Sequence, residues 1–502
     1  MTQKNKIIDT ICSRTTSFII NTSKSERKKY GQFFTSKEIA IYMASLFDLQ
    51  ENKCEFKILD AGAGSGILSA AILDKLRPMK HISKLYLTCY ENDENILPLL
   101  KSNLEYIKTQ MPNRLEYEII EDNYILSQNF ERKGTNDTNF LYDIIIGNPP
   151  YLKIAKDAPE ALAMPSVCYG APNLYFLFMA MGVYNLKPGC EMIYIIPRSW
   201  TSGAYFQKFR DYLFENCVLL QIHLFESRNK VFDNESILQE TIIVKIKKAQ
   251  TPSKKILITS SLSSDFSNIT KLEVPYNIVV MPSNGYVYLP TNEKEKDSLL
   301  IINRLPKTLR ALGLKMKTGI IVDFRTRNVL RNKKESLSYP LFYSQHIQGG
   351  KVIFPIGKNG EYIKTDKKGY LQKNKNYLFV KRFTSKEENR RLQCGIYLSN
   401  EYSEYEYIST QNKINFIEGV QLLSEEAIYG LFVLFNSSIY DMYYRILNGS
   451  TQVNSTEVNV IPIPTMNVIE TMGKELKLSN DLSESNCNNI LNKYINGQTE
   501  ND

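Results

Sequence analysis

The sequence has no long apolar segment and few of the residues that build metal or disulfide sites. No run of about 18 uncharged apolar residues occurs, which argues against a transmembrane helix. The first 30 residues are polar and basic and lack the apolar core of a signal peptide, so we expect a cytoplasmic protein. The eight cysteines never form C-x-x-C, and the three histidines stand apart from other metal-binding residues, so neither a disulfide framework nor a metal site is expected.

The rest of the composition is that of a folded protein with more than one domain. Hydrophobic residues make up 43% of the chain, too many for a mainly disordered protein. At roughly 150 residues per domain, the 502 residues predict two to four domains. Changes in composition suggest an N-terminal extension, an α/β domain, a linker region, a second domain of mixed α+β structure and a polar C-terminal tail. Their predicted bounds are 1–30, 31–249, 250–300, 301–465 and 466–502.

The net charge of +9 is concentrated in one segment of the chain. Residues 304–391 contain 22 Lys and Arg against 6 Asp and Glu, whereas the remainder has 40 basic and 47 acidic residues. Aromatic residues are interleaved with these cations, a pattern typical of a surface that binds a polyanion such as nucleic acid. The alternative interpretation is a lysine-rich surface that is only solvated.

Apolar patterning in the first half of the chain predicts strands that alternate with helices. The strands are expected over 56–62, 84–93, 115–122, 141–148, 191–197, 218–224 and 241–247. The helices are expected over 36–48, 66–76, 94–107, 173–186 and 203–215. This order predicts an α/β fold with a doubly wound, mostly parallel sheet covered by helices on both faces. Ligands of such sheets bind at the carboxyl ends of the strands, near the point where the strand order reverses.

A glycine loop and two acids follow three successive predicted strands. The loop, DAGAGSG at 60–66, lies between a strand and a helix, and its glycines permit positive φ and close approach of a ligand. Its G-x-G-x-G spacing differs from that of phosphate-binding loops. Glu91 ends the second strand, where it can accept hydrogen bonds from ribose hydroxyls, and Asp122 ends the third. Together they predict a nucleoside-binding crevice, although each acid alone is also typical of a solvated turn.

The most specific motif is Asn148-Pro149-Pro150-Tyr151, directly after an apolar strand. Two successive prolines cannot extend a helix or donate to a β-ladder, so they form a rigid turn. The Asn148 side-chain oxygen and the Pro149 carbonyl oxygen can both accept hydrogen bonds from one planar amino group. These acceptors withdraw the amine from conjugation with its ring and make its nitrogen more nucleophilic. The Tyr151 ring offers a face on which an aromatic base can stack.

A shorter motif, GQFFTS at 31–36, lies upstream of the glycine loop. Thr35 and Glu38 have the spacing of a capping box that opens the helix expected over 36–48. The N–H groups at such a helix start suit a carboxylate ligand, and a plain helix start is the alternative.

These motifs, in this order, resemble the γ class of DNA adenine-N6 methyltransferases, the S-adenosylmethionine-dependent enzymes of bacterial type II restriction–modification systems. The resemblance is close over 28–250, where LKPGCEMIYIIPRSW at 186–200 also matches. It is looser over 376–392 and 447–464, which are similar to target-recognition segments of that family. The chain length suits the PstI-like branch of the family.

The resemblance implies a role for each matching residue. In the family pattern, Thr35 contacts the cofactor's methionine carboxylate, and Glu91 and Asp122 contact its ribose and adenine. The loop under the methionine portion of the cofactor is formed by Asp60, Ala61, Gly62 and Gly64. The catalytic turn comprises Asn148, Pro149, Pro150 and Tyr151, and Phe232 is expected to stack with Tyr151 on the target base. The DNA-binding residues are expected to be Lys381, Arg382, Lys386, Arg390, Arg391 and Gln452. Some relatives have glutamate where Asp60 stands, and the shorter acid keeps the charge.

The implied activity is site-specific transfer of a methyl group from S-adenosylmethionine to N6 of an adenine flipped out of duplex DNA. The resemblance further implies a monomer in the bacterial cytoplasm that uses no metal and protects host DNA from a separate cognate endonuclease. Other enzymes share this catalytic turn and methylate an RNA base amine or a protein glutamine, but the glutamine enzymes are shorter and lack a basic C-terminal domain. A degenerate, DNA-binding methyltransferase fold is a further alternative. A fused nuclease is not expected, because only about 30 residues precede the first motif.

Overall fold

The computed structural model describes residues 6–20, 34–49, 51–131, 141–225, 241–282, 285–385, 388–448 and 451–496. The chain folds into two compact units, unit 1 (Met1–Thr291) and unit 2 (Asn292–Asp502). Within the described ranges, no helix has the length and apolar character needed to cross a membrane.

Unit 1 is built on one nine-stranded sheet with the strand order β3-β2-β1-β4-β5-β7-β6-β8-β9. The strands are β1 (Glu55–Ala61), β2 (Lys84–Tyr90), β3 (Leu115–Ile120), β4 (Tyr142–Gly147), β5 (Leu186–Pro197), β6 (Val218–Phe225), β7 (Thr241–Lys247), β8 (Lys255–Ser261) and β9 (Thr270–Pro275). The first five strands are parallel, whereas β7 and β9 run antiparallel to their neighbours. The sequence therefore predicted the fold class correctly.

The helices of unit 1 alternate with these strands. They are α1 (Ile7–Ile20), α2 (Lys37–Ser45), α3 (Ile67–Leu76), α4 (Leu97–Gln110), α5 (Pro159–Ala163), α6 (Leu174–Asn185), α7 (Gln207–Asn216) and α8 (Tyr276–Val279). A core of buried side chains from α1 to α4 packs against β1, β2 and β4. The strand order reverses at β1, which lies between β2 and β4, so the carboxyl ends of these three strands meet where the sequence predicts a ligand.

The prediction of a linker over 250–300 is wrong, because part of the segment belongs to the sheet of unit 1. The β8 and β9 strands lie in this segment, pair with each other and extend the sheet beyond β6. Ile256, Ile258 and Val274 are buried, so alternating apolar residues specify strands here despite the abundance of Ser, Thr and Pro. The boundary between the two units therefore lies after Thr291.

Unit 2 has the predicted mixed α+β structure. A six-stranded sheet has the order β11-β21-β18-β19-β15-β14, a five-stranded sheet has the order β12-β16-β13-β20-β17, and β10 pairs with β22. The strands are β10 (Lys307–Thr308), β11 (Leu314–Thr318), β12 (Leu330–Arg331), β13 (Ser338–Phe342), β14 (Ile347–Gln348), β15 (Lys351–Val352), β16 (Tyr362–Lys364), β17 (Gln372–Lys373), β18 (Tyr377–Lys381), β19 (Cys394–Tyr397), β20 (Tyr407–Thr410), β21 (Ile414–Gly419) and β22 (Pro462–Ile463). The helices are α9 (Glu293–Asn303), α10 (Glu425–Phe435), α11 (Ser438–Leu447), α12 (Ser455–Val458), α13 (Met466–Ser479) and α14 (Glu484–Asn496).

The segment predicted as a polar tail, 466–502, contains two packed helices. On α13, Ile469, Met472 and Leu476 are buried, and α13 lies against α10 at glycines. A Cβ atom added at Gly430 would lie 1.8 Å from the Ile469 carbonyl oxygen, so only glycine permits this approach. The polar residues of the segment lie mainly on the solvent side of amphipathic helices, which explains why composition alone suggested a tail.

Candidate active site

A cavity of about 270 Å³ opens at the carboxyl ends of β1, β2 and β4. It is lined by Phe34, Gly62, Gly64, Tyr90, Glu91, Asn92, Asp93, Ile96, Asp122, Asn123, Tyr124, Asn148, Pro149, Pro150, Leu152, Glu160, Leu174 and Phe178. The lining includes most of the predicted catalytic and cofactor residues, so the structure brings the motifs together. Thr35, Asp60, Ala61 and Tyr151 lie outside it.

The glycine loop bends over the end of β2. The backbone N–H groups of Gly62 and Ala63 both donate to the Tyr90 carbonyl oxygen at 2.9 Å. The φ angles of Gly62 and Gly64 are +73° and +55°, in the left-handed region that favours glycine. The loop therefore presents backbone without side chains to the cavity, as the sequence predicts.

Glu91 ties the loop to the strand end while it lines the cavity. Its Oε2 accepts a hydrogen bond from the Gly64 N–H at 2.8 Å, and its Oε1 accepts from the N–H groups of Asn92 and Asp93 at 3.0 Å. Burial raises the pKa of Glu91, and these backbone donors oppose the shift. Three of roughly four acceptor positions of the carboxylate are thus occupied by backbone, which fixes the orientation of the acid toward a ligand.

The predicted contact of Asp60 with the cofactor is not supported by its position. The side chain is fully buried, and its Oδ2 accepts hydrogen bonds from the Ser69 N–H at 3.1 Å and the Ser69 hydroxyl at 2.7 Å. Burial raises the pKa of Asp60 from 3.8 to about 7. Asp60 therefore supports the loop from below by anchoring the first turn of α3, and Ala61 beside it is equally buried in β1.

The rim of the cavity carries the second predicted acid. Asp122 is exposed, and its Oδ1 accepts from the Asn123 N–H at 2.7 Å. Asn123 in turn donates to Glu160 at 2.8 Å and caps the following turn through its own Oδ1. Asn123 and Glu160 could not be predicted from the sequence, because isolated polar residues in loops carry no distinguishing pattern.

An aromatic wall closes the cavity beneath the glycine loop. The Tyr90 and Tyr124 ring centroids are 4.9 Å apart, and those of Tyr124 and Phe178 are 5.1 Å apart. A Cβ atom at Gly62 would lie 3.6 Å from Phe178 Cε1, so the ring packs directly under the loop. These residues were also missed, because Phe178 belongs to a helix, α6, that is apolar on every side.

The predicted catalytic turn forms the opposite wall. It follows Gly147, where a Cβ atom would lie 2.6 Å from Tyr194 Cε1, so the strand end accepts only glycine without rearrangement. Asn148, Pro149 and Pro150 line the cavity. The Asn148 amide nitrogen donates to the Thr35 hydroxyl at 3.1 Å, which brings the upstream motif to the catalytic turn.

Tyr151 is held at the back of this turn. Its hydroxyl donates to the Ile195 carbonyl oxygen at 3.0 Å, and its ring meets Tyr175 edge-to-face with centroids 6.3 Å apart. Burial raises the pKa of Tyr151 well above its usual range, so the hydroxyl remains a donor. Phe232, the predicted second stacking residue, and Lys386, a predicted DNA-binding residue, lie outside the described residues.

The structure separates the predicted DNA-binding residues into surface and internal groups. Lys381, Arg382 and Gln452 lie at the surface of unit 2, and Arg382 donates to the Gln452 side-chain oxygen at 3.1 Å. Arg391 is fully buried and donates to the Thr384 hydroxyl at 3.2 Å. Arg391 therefore cannot reach a phosphate, and the prediction that it binds DNA is wrong.

Arg390 is also structural. Its guanidinium donates to the carbonyl oxygens of Phe435 and Ser437 at 3.2 Å, after the last turn of α10, and pairs with Glu484 at 2.9 Å. The cation therefore satisfies carbonyl groups at a helix end. Sequence alone could not distinguish Arg390 and Arg391 from their surface neighbours, because both stand in the same basic run.

Comparison with known proteins identifies the family. A family model described as Eco57I restriction-modification methylase matches residues 72–232. The type II methyltransferase M.PstI of Providencia stuartii is 33% identical over 505 residues, which cover 98% of this chain and 97% of the relative. The chain belongs to the type II methyltransferases of restriction–modification systems. M.BsuBI of Bacillus subtilis gives the same result, with 33% identity over 91% of each chain.

The architecture of this methyltransferase agrees with that assignment. The structure of the type IIL restriction-modification enzyme MmeI in complex with DNA aligns with a TM-score of 0.55 and 11% identity, covering 97% of this chain and 75% of that chain. At this identity the alignment shows a shared fold alone. Together, the near-full-length relatives and the cavity show that the protein is a DNA methyltransferase of a restriction–modification system.

Proposed function

We propose that this methyltransferase transfers the methyl group of S-adenosylmethionine to N6 of an adenine extruded from duplex DNA. The observation that carries the proposal is the position of Asn148, Pro149 and Pro150 in one wall of a cavity that also includes the glycine loop and Glu91. The residues expected to bind the methyl donor and the oxygens that can accept hydrogen bonds from an amino group thus line the same cavity.

The residues of the cavity fit S-adenosylmethionine. Gly62 and Gly64 leave room against the loop, and the Glu91 carboxylate lies where a ribose hydroxyl can donate to its remaining acceptor position. Asp122 on the rim is the expected partner of the adenine amino group, and Tyr90, Tyr124 and Phe178 supply apolar surface for the rest. When bound, the cofactor supplies an electrophilic methyl group on a sulfonium.

The chain's own contribution is to position and activate the amine. The hydrogen bond from Asn148 to Thr35 orients the amide so that its oxygen is the end opposite Thr35. We infer that this oxygen and the Pro149 carbonyl oxygen accept the two hydrogens of the N6 amine and stabilise the positive charge that develops there. The methylated amine is strongly acidic and loses its proton without a dedicated base.

Extrusion of the base is required because N6 cannot reach a cofactor from within the duplex. Unstacking costs a few kcal/mol, and an aromatic face offsets part of that cost. Tyr151 is the proposed stacking residue, because its hydroxyl bond to Ile195 restrains the ring beside the catalytic prolines. Phe232 is retained as the proposed partner on the opposite face of the base.

We further propose that the enzyme acts as a cytoplasmic monomer alongside a separate cognate endonuclease. The competing proposal, methylation of an RNA base amine or a protein glutamine, uses the same turn. It is disfavoured because the DNA methyltransferase relatives align over unit 2 as well as unit 1. A non-catalytic role is disfavoured because every residue of the catalytic turn is present.

In the decisive experiment, the purified protein is incubated with S-adenosylmethionine that carries a labelled methyl group. Separate reactions contain duplex DNA, RNA or total protein as the substrate. We expect label only in DNA, recovered as N6-methyladenine, and methylation-sensitive sequencing of DNA from expressing cells then reports the target site. Asn148→Ala should abolish transfer while it leaves the fold intact. Label that appears in cytosine, RNA or protein would contradict the proposal.

A further inference from the structure

Two phenylalanine side chains of unit 2 are exposed to solvent, and an arginine guanidinium lies over each ring. Among the described residues of unit 2, Phe324 and Phe383 are the only exposed aromatic side chains, with 63% and 45% of their surface accessible. The Arg325 guanidinium lies 5.4 Å from the Phe324 ring centroid, and the Arg382 guanidinium lies 5.4 Å from that of Phe383. The other aromatic residues interleaved with the basic segment are buried or half-buried.

Hydrogen bonds to one turn bring the two pairs to the same edge of unit 2. The turn between β20 and β21 lies between them: its Asn412 N–H donates to the Ile321 carbonyl oxygen at 2.8 Å, three residues before Phe324. On the other side, Arg382 donates to the Asn412 carbonyl oxygen at 3.1 Å. We name this surface the arginine–phenylalanine edge, formed by Phe324, Arg325, Arg382, Phe383, Lys413 and Gln452.

The edge is strongly cationic. Arg325, Arg382 and Lys413 lie on it, and Arg327 and Lys381 adjoin it. Within the part of the chain that the structure describes, none of these five cations forms an ion pair. The neighbouring acid, Asp323, accepts a hydrogen bond from the Phe324 N–H. A cluster of cations that no described acid pairs with favours a polyanionic ligand.

Arg382 is fixed at the centre of the edge. Its guanidinium spans the Asn412 carbonyl oxygen and the Gln452 side-chain oxygen, both at 3.1 Å. The Phe383 backbone pairs with that of Gln452, and the Val453 N–H donates to the Arg382 carbonyl oxygen at 2.7 Å. The backbone at Phe383 and the side chain of Gln452 are thus fixed before any ligand binds, which reduces the entropy lost on binding.

We propose that the arginine–phenylalanine edge binds duplex DNA, with Phe383 and Phe324 packing against bases and Arg382 acting as a positioning residue for Phe383 and Gln452. The inference rests on DNA being the substrate and extends it to a specific surface. Phosphates can satisfy the cations, but an apolar ring gains free energy only against the bases, the apolar part of DNA. The phenylalanines therefore contact bases at a locally unstacked step.

The test measures the affinity of the full-length protein, without cofactor, for a fluorescent duplex that contains the unmodified target site. A random-sequence duplex gives the affinity of non-specific binding for comparison. Phe383→Ala should weaken binding to the site about 5- to 150-fold, the range that corresponds to base–aromatic stacking. Its matched control is Leu478→Ala on α13, also exposed in unit 2, which should change affinity less than about twofold. Thermal unfolding should be unchanged in both variants. Equal affinity of Phe383→Ala, Phe324→Ala and the native protein would overturn the proposal.

Arg382→Lys separates positioning from charge. The lysine keeps the positive charge but cannot span Asn412 and Gln452, so affinity should fall while the salt dependence keeps its slope. Native affinity together with the native slope would show that only the charge of Arg382 is needed and would contradict the positioning role. These readouts need no methyl transfer, so a failure of the proposed adenine chemistry remains distinguishable from a failure of this inference.

Discussion

The Asn148 amide nitrogen donates to the Thr35 hydroxyl oxygen at 3.1 Å, although the two residues are 113 positions apart in the chain. The family resemblance assigns Thr35 to the cofactor carboxylate, yet the residue lies outside the cavity lining. Its contact with Asn148 gives it a second role, that of holding the proposed catalytic amide in one orientation. Thr35 of the upstream motif and Asn148 of the proposed catalytic turn are therefore in direct contact.

Thr35→Val tests this contact. Valine keeps the shape of threonine but cannot accept the hydrogen bond from Asn148, so we expect kcat for methyl transfer to fall about 2- to 10-fold. Thr35→Ser is the control and should retain near-native kcat. Single-turnover rates give the first comparison, and calorimetric titration with S-adenosylmethionine gives the second. If only cofactor affinity changes, Thr35 acts on the cofactor and not through Asn148.

Glu91→Gln should weaken S-adenosylmethionine binding about tenfold or more. Both oxygens of the Glu91 side chain accept hydrogen bonds from backbone N–H groups, those of Gly64, Asn92 and Asp93. A glutamine amide has only one oxygen, so it cannot accept all three. The measurement is equilibrium dialysis with labelled cofactor. The control is Glu94→Gln, an exposed acid three residues later, which should bind normally. Equal affinities of both variants would remove Glu91 from the cofactor site.

Asp60 predicts a pH dependence of stability. Because burial raises its pKa from 3.8 to about 7, the folded state holds a proton that the unfolded state has released between these values. The contribution of Asp60 to the free energy of unfolding therefore decreases as pH rises from about 4 to about 7. Asp60→Asn keeps an acceptor for Ser69 and cannot ionise, so its stability relative to the native protein should increase over that range. Urea unfolding of both proteins at several pH values measures the difference, and a constant difference would contradict the raised pKa.

Lys381→Ala and Arg391→Ala should affect different properties, DNA binding and stability, although both residues belong to one basic segment. Lys381 is at the surface, so its loss should lower the slope of the salt dependence of DNA binding by about 0.9 and leave unfolding unchanged. Arg391 is fully buried, so its loss should reduce the free energy of unfolding by about 3 kcal/mol or more. Denaturant titration and DNA titration of the two variants distinguish these outcomes. A native salt slope in Lys381→Ala would place the phosphate contacts elsewhere.

Much of unit 1 could be predicted, because its local patterns and its tertiary structure agree. The apolar runs of β1 and β4 are buried on both faces, and the glycines between β1 and α3 have the positive φ angles that only glycine adopts easily. Boundaries were less predictable. The β5 strand begins at Leu186 and not at 191, because Lys187 to Cys190 extend the strand despite a proline and a glycine.

The sequence by itself determined the order of the motifs, the α/β class and the rigid Asn-Pro-Pro-Tyr turn, since each depends on residues that are neighbours in the chain. Only the tertiary structure decided which polar groups face the cavity and which support it. Asp60 and Arg391 look like ligand contacts in the sequence, but they are buried and bonded internally. The burial of Arg391 depends on residues distant in the chain, such as Asp441 and Asn448, and the sequence around Arg391 does not encode these contacts.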